Sequence, residues 1–363
     1  MDRVNLAIVG CGDISQLNAP GYLNHEKCNV YALCDSNPQK ANMRAKQWGI
    51  SPKIFSDYED VLNDSNIDAV ELLTPTYMHP NQIIDGLNAG KHVSCQKPIA
   101  STLVEVQDIQ KAVETSSSKF RITENFIFYP PLIKAKELLD SGAIGDPSMI
   151  RIRTLRAGGK MPESSSTIDF SQMNDPHSDS LIWREDPKLH AGGNVYDDGW
   201  HKFATAIWWI GEIDQMYSFL TKNSSHLDDS PAVISWKFKN RNCLGVLDYA
   251  YAEGMKIRSK YYPVDEFFEI QGSKGAIFVT RCSGEMLDLP PVILQTGSDT
   301  HSIQVPMDWI EGFNGAARHF IDAILDDEQP QMDIHFSKHT LQAALSAYIS
   351  FEKQMPVNPI ELI

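Results

Sequence analysis

The sequence predicts an α/β protein, with a doubly wound parallel sheet in its amino-terminal part and an α+β unit with a large, mainly antiparallel open sheet behind it. Three observations carry this. Short apolar runs alternate with amphipathic stretches up to about residue 125, a glycine turn closes the first run, and strand-like runs follow one another after Pro147 with few helices between them. A chain of 363 residues also exceeds what one hydrophobic core usually organises. The expected domains are therefore 1–125 and 126–363.

In order, the first part reads NLAIVG, NVYALCD, DAVELLT, KHVSC and KFRIT, each run separated from the next by a helix-like segment. Near-continuous apolar runs of this kind fit parallel strands buried on both faces and joined by crossover helices. QKANMRAKQWG and MHPNQIIDGLNAG carry apolar residues at helical spacing and stop on Gly49 and Gly90.

After a helix-like PLIKAKELLDSGAIGDP the pattern changes to SMIRIRTLRA, AVISWKFKN, NCLGVLDYAYA and EFFEIQG, which suits an antiparallel sheet. Between these strands, GNVYDDGWHKFATAIWWIG reads as a buried helix. WIEGFNGAARHFIDAILDD and SKHTLQAALSAYISFEK read as amphipathic helices that cover the second domain or bridge back to the first. Residues 158–180, rich in Ser, Asp, Pro and Met, lack periodicity and are expected to form a long loop.

Composition narrows the class. No run is long and apolar enough to span a bilayer, and MDRVNLAIVGCG lacks the form of a secretory signal, so a cytoplasmic protein without a membrane partner is expected. The 32 Lys and Arg against 47 Asp and Glu give a net charge of −15, with no basic block to track a phosphate backbone, which argues against nucleic acid. The six cysteines form no CxxC pair and read as reduced thiols. No metal is expected, since His177 and His190 have no spacing that favours a site.

Gly10-Cys11-Gly12-Asp13-Ile14-Ser15 follows the first strand and precedes a helix. There the first glycine permits the reversal and the second leaves room for a pyrophosphate at the helix amino terminus; together they mark a Rossmann dinucleotide site. Asp35 ends the second strand, where its carboxylate accepts hydrogen bonds from the adenosine ribose hydroxyls, and no arginine follows in Asp35-Ser36-Asn37-Pro38 to offset an NADP phosphate. NAD is favoured over NADP. The cofactor-binding candidates are Gly10, Gly12, Asp13, Ile14, Asp35 and Ser36, with Thr74, Pro75 and His79 after the third main run, and Gln96 and Lys97. Asp13 and Cys11 themselves read as packing or helix-capping residues rather than chemical ones.

TPTYMH (74–79), CQKP (95–98), ENFIFYPP (124–131), AGGNVYDDGWH (191–201) and EIQGSKG (269–275), with the glycine turn, resemble the motifs of the Gfo/Idh/MocA oxidoreductases across nearly the whole chain. The resemblance implies that Lys97, Asp197 and His201 form the catalytic group. The physical reading agrees: a helix beginning near Tyr196 puts Asp197 and His201 four apart on one face, where the carboxylate can orient the imidazole. A histidine suits removal of a hydroxyl proton as hydride leaves carbon, and a lysine stabilises the developing alkoxide. Asp198, by the same geometry, points elsewhere and reads as structural. Two positions depart from the family pattern: Gln96, where a glutamate is common, and Trp200, where a smaller apolar residue is.

Candidates for the substrate site are Tyr129, Arg153, Trp183, Arg184, Trp200 and Lys256, beside Lys97, Asp197 and His201. The expected activity is a dehydrogenase or reductase acting on a secondary hydroxyl of a sugar, polyol or glycoside. An NAD-dependent glycosidase or lyase with transient sugar oxidation, and a non-catalytic NAD-binding sensor, are the alternatives. The resemblance further implies a homodimer or homotetramer built through the second sheet.

Overall fold

The computed structural model describes residues 2–161, 183–223, 225 and 228–363. Of the loop expected at 158–180, residues 158–161 instead continue a strand, and the part from residue 162 lies outside the described residues, as does His177.

Six strands, β1 (Val4–Val9), β2 (Cys28–Cys34), β3 (Lys53–Phe55), β4 (Ala69–Leu72), β5 (His92–Gln96) and β6 (Phe120–Thr123), form one sheet in the order β3-β2-β1-β4-β5-β6. Every pair in it is parallel. Helices α1 (Ser15–Leu23), α2 (Pro38–Trp48), α3 (Tyr58–Asn63), α4 (His79–Asn88) and α5 (Leu103–Thr115) make the crossovers. Their ends follow the local chemistry. The Asn37 side chain caps α2 by accepting from Gln39 N, Gly49 ends it in the left-handed region, and Thr102 with Glu105 forms a capping box on α5. The strand order reverses between β1 and β4, which opens a crevice at the carboxyl ends of the strands.

After α6 (Pro130–Asp140) comes the second sheet, ordered β14-β13-β12-β11-β7-β10-β9-β8. Its strands are β7 (Pro147–Met161), β8 (Ile213–Phe219), β9 (Ala232–Phe238), β10 (Leu244–Arg258), β11 (Val264–Gly272), β12 (Gly275–Val279), β13 (Val292–Thr296) and β14 (Asp299–Ile303). All pairs are antiparallel except the long β7–β10 pair, which is parallel. Helices α7 (Asn194–Asp197) and α8 (Gly199–Ile210) lie against one face, where Phe203 meets Trp236 and Trp209 meets Phe268 edge-on. The final helices are α9 (Ile310–Leu325) and α10 (Ile334–Lys353). Ala317, Phe320, Ile321 and Ile324 of α9 complete the apolar cluster formed by Val4, Leu6 and Ile8 of β1 with Ala19 and Tyr22 of α1. Among the described residues no helix is long and apolar enough to cross a membrane.

Candidate active site

The glycine turn is shaped for a close ligand. Gly10 has φ +96°, and a Cβ there would sit 2.6 Å from the carbonyl oxygen of Leu73, so the chain turns hard against the end of β4. A Cβ on Gly12, by contrast, would meet nothing within 4 Å, leaving open space over the amino end of α1. Asp35 is tied into this turn: Oδ2 accepts from Cys11 N at 2.9 Å and Oδ1 from Asn37 N at 2.9 Å. Arg44, a residue outside the sequence candidates, clamps the turn from α2 by donating to the carbonyls of Cys11 and Gly12 and pairing with Asp13 at 3.3 Å. Asp13 thus belongs to the turn's own scaffolding. Open space at the amino end of α1, with the Asp35 carboxylate beside the turn, fits a dinucleotide.

Thr74 and Pro75 stand half-buried at the end of β4, while Ile14 is half-buried and Ser36 exposed near the turn. His79 takes a different place from the one expected. It is buried, and its ring nitrogens sit 2.8 Å from the carbonyls of Pro98 and Thr74, so it braces two loops from behind. Burial pushes its pKa down to about 4, against the two carbonyl contacts. Gln96 turns its side-chain oxygen onto Lys97 N at 2.9 Å and fixes the backbone that presents the lysine.

Lys97, at the end of β5, reaches across to α7. Its Nζ lies 2.7 Å from Asp197 Oδ1 and 2.9 Å from the Asp197 carbonyl oxygen. Arg184 approaches the other carboxylate oxygen at 3.4 Å and lies over the Trp183 ring. Burial raises the Asp197 pKa, but Lys97 and then Arg184 outweigh it and hold the carboxyl well below its usual range. Trp183 in turn meets Tyr77, which follows β4, edge-on at 6.3 Å. The structure therefore brings Lys97, Asp197, Arg184 and Trp183 together.

Hydrogen bonds to Tyr348, Asp229 and Ala100 hold α7 in place. The Tyr348 hydroxyl on α10 accepts from Gly193 N and Tyr196 N and donates to Asp229 Oδ2, which also accepts from Val195 N. Tyr196 donates its hydroxyl to the carbonyl of Ala100, three residues beyond Lys97. Gly192 is required by packing, because a Cβ there would lie 2.7 Å from the Tyr348 ring and from Tyr196 Cβ.

Asp197 and His201 do not share a continuous helix: α7 ends at Asp197, Asp198 intervenes, and α8 starts at Gly199. The carboxylate on the His201 imidazole is that of Glu124, after β6, with Nδ1 at 2.7 and 2.9 Å from its two oxygens. Phe126 stacks on the ring at 4.3 Å and 12°. Glu124 lay within a quoted motif, yet no local pattern pointed to it, since the contact spans 77 residues of sequence. Asp198 is structural as expected, anchoring the fully buried Lys202 at 2.8 Å, with Glu266 at 3.0 Å on the same ammonium and the Tyr249 hydroxyl on its own carboxylate, but it does not point away from the histidine: it faces His201 too.

Four substrate candidates lie apart from this group. Trp200 is fully buried in the core, because α8 is covered on nearly every side. Tyr129 is also fully buried and donates to the carbonyl of Met307. Arg153 pairs with Asp265 and lies over Phe267; β7 alternates, so Ile152 and Thr154 face α8 while Arg153 points to the opposite face. Lys256 is exposed beyond the register shift in β10, and among the described residues no hydrogen bond or ion pair joins it to that group.

Among the described residues no group of three or more His, Cys, Asp or Glu is placed to hold a metal, and all six cysteines are free and buried. A parallel sheet with a dinucleotide cradle, and a lysine carried from its edge onto a carboxylate of the second sheet's domain, define an NAD-binding oxidoreductase. Comparison with known proteins agrees. Residues 4–124 match the model of the oxidoreductase family with an NAD-binding Rossmann fold, and residues 132–278 match the GFO/IDH/MocA C-terminal domain. The chain belongs to the Gfo/Idh/MocA family. It is 25% identical over 283 residues to the myo-inositol 2-dehydrogenase of Thermotoga maritima, covering 76% of this chain and 75% of that one. An oxidoreductase from Agrobacterium radiobacter, solved with NAD+, L-tartaric acid and magnesium, shares the fold at TM-score 0.82 and 17% identity, covering 99% of this chain and all of that one. A levoglucosan dehydrogenase solved with NADH and levoglucosan does so at TM-score 0.81 and 19% identity, covering 98% and 99%.

Proposed function

We propose that this protein is an NAD-dependent dehydrogenase that interconverts a secondary hydroxyl of a sugar or polyol and the corresponding carbonyl. In this reading residues 1–125 hold the dinucleotide, residues 126–363 supply the substrate site, and Lys97, Asp197 and His201 form the acid–base group. The observation that carries it is the 2.7 Å pair between Lys97, on the dinucleotide side, and Asp197, on the other. When bound, NAD takes up or supplies the hydride. Lys97 then holds the substrate oxygen and stabilises charge developing on it, Asp197 keeps that ammonium aimed, and His201 moves the hydroxyl proton. Trp183 and Arg184 edge the cleft where a polyhydroxylated ring would lie. The names of the related inositol and levoglucosan dehydrogenases support this substrate class.

The test is NADH formation by purified protein with NAD and a panel of inositols, sugars and glycosides. Turnover that Lys97→Ala abolishes supports the reading, and silence across the panel sinks it. A redox-neutral glycosidase would release an aglycone without accumulating NADH, so the same panel separates that case. We also propose a homodimer or homotetramer through the outer face of the second sheet, where Phe219, Val233 and Leu244 stand exposed. Light scattering in solution checks this.

A further inference from the structure

We infer that Glu124 is a positioning residue for His201: its carboxylate accepts the Nδ1 proton, fixes the tautomer, and leaves Nε2 as the nitrogen that exchanges the substrate's proton. This rests on the acid–base role given to His201 above.

Both carboxylate oxygens lie within 2.9 Å of Nδ1, and Oε1 also accepts from Phe126 N at 2.9 Å, so the carboxylate is itself pinned. Phe126 stacked on the imidazole sets the plane of the ring. Among the described residues no hydrogen bond is made at Nε2, and the His201 side chain keeps 10% of its surface exposed while that of Glu124 has none. Glu124 has no lysine or arginine partner among the described residues; the one ion pair it makes is with His201. Burying a carboxylate without a permanent cation is costly, and a neutral side chain of similar size would fill the space with less penalty. The charge becomes useful when the imidazole is protonated, because it is then the counter-ion. Asp198 faces His201 as well, but Lys202 with Glu266 behind it engages that carboxylate.

In oxidation the substrate's O–H proton passes to Nε2 as its C–H hydride leaves to the nicotinamide. The alcohol carbon becomes a carbonyl, and the imidazolium formed rests against Glu124. In reduction the same proton returns from Nε2 to the carbonyl oxygen.

The alternative is that Glu124 only holds the turn after β6 through Phe126 N, and two measurements separate the cases. Protein labelled with 15N-histidine, with His201 assigned by comparison with His201→Gln, is read by long-range 1H–15N spectra at a pH where the ring is neutral. The expected signal is a protonated Nδ1 with a bare Nε2, and the opposite tautomer overturns the inference. Glu124→Gln keeps size and an acceptor oxygen but not the charge. Its kcat should fall roughly 10²-fold or more, on the scale seen when a carboxylate behind a catalytic imidazole is neutralised, with KM for the alcohol little changed and Glu124→Asp recovering most of the loss. Wild-type kcat in Glu124→Gln, or a loss confined to KM, overturns it. If the wild-type protein oxidises no alcohol, the proposed dehydrogenase function fails, while the tautomer still decides what Glu124 does.

Discussion

Lys97 donates from one ammonium to both the carboxylate and the backbone carbonyl of Asp197, at 2.7 and 2.9 Å. The contact joins the end of β5 to the end of α7. A side chain that is anchored twice has little freedom to lose when substrate arrives, so its contribution belongs to the chemical step.

Lys97→Met should therefore lower kcat by roughly 10²-fold or more while dinucleotide binding, followed by NADH fluorescence, stays near wild type. A variant that loses NADH binding in step with turnover would place Lys97 in cofactor binding instead.

Asp35 ties the end of β2 to the glycine turn through Cys11 N. Asp35→Ala should weaken NAD binding roughly 10-fold, the equivalent of one hydrogen bond to a charged group, and weaken NADP binding less, because the repelling carboxylate is gone. Paired titrations with NADH and NADPH give the ratio. An unchanged ratio counts against the ribose role.

Tyr348 serves two backbone amides and one carboxylate at the start of α7. Tyr348→Phe leaves those buried groups without their partner and should cost about 1–3 kcal/mol, read by urea unfolding. It should also lower kcat, since Asp197 ends the same short helix. Full stability with full activity would show that α7 is held by its other contacts.

Acid should destabilise the protein through the carboxylates of α7 and the turn after it. Burial raises the Asp198 pKa, but Lys202 and then His201 outweigh it and bring it down to about 2, and Asp197 is likewise depressed. A carboxyl with a folded pKa below its unfolded value near 4 contributes fully above that value and loses its contribution as pH falls through the folded one. The thermal midpoint should thus begin to drop below about pH 4 and continue towards about pH 2, with a shallower fall in Asp198→Asn. Equal slopes for the two proteins would contradict this.

The residues that were legible in the sequence are those whose role is set by near neighbours. Gly10, Gly12 and Asp35 follow from strand period and turn chemistry, and the parallel sheet follows from its alternating runs. Lys97 was found through a motif, because nothing local tells a lysine at a strand end where it points. Glu124 was missed because its partner arrives from another helix, and the pairing of Asp197 with His201 failed because each side chain meets a partner distant in sequence, Asp197 with Lys97 and His201 with Glu124. Arg153 was within reach: in MIRIRT the isoleucines alternate with the arginines, so the arginines had to face away from the helix layer. Trp200 and Tyr129 were drawn into the site by their chemistry and are held in the core by burial.

The packing of α9 against β1 and α1 bears on how the chain is made. A ribosome delivers the strands of the dinucleotide sheet first, yet the apolar surface of Val4, Leu6, Ile8, Ala19 and Tyr22 is not closed until Ala317, Phe320, Ile321 and Ile324 have been synthesised. The half of the protein translated first is the half finished last. A nascent chain stopped short of Ile310 carries that surface uncovered, which makes it a client for chaperones and a risk for aggregation.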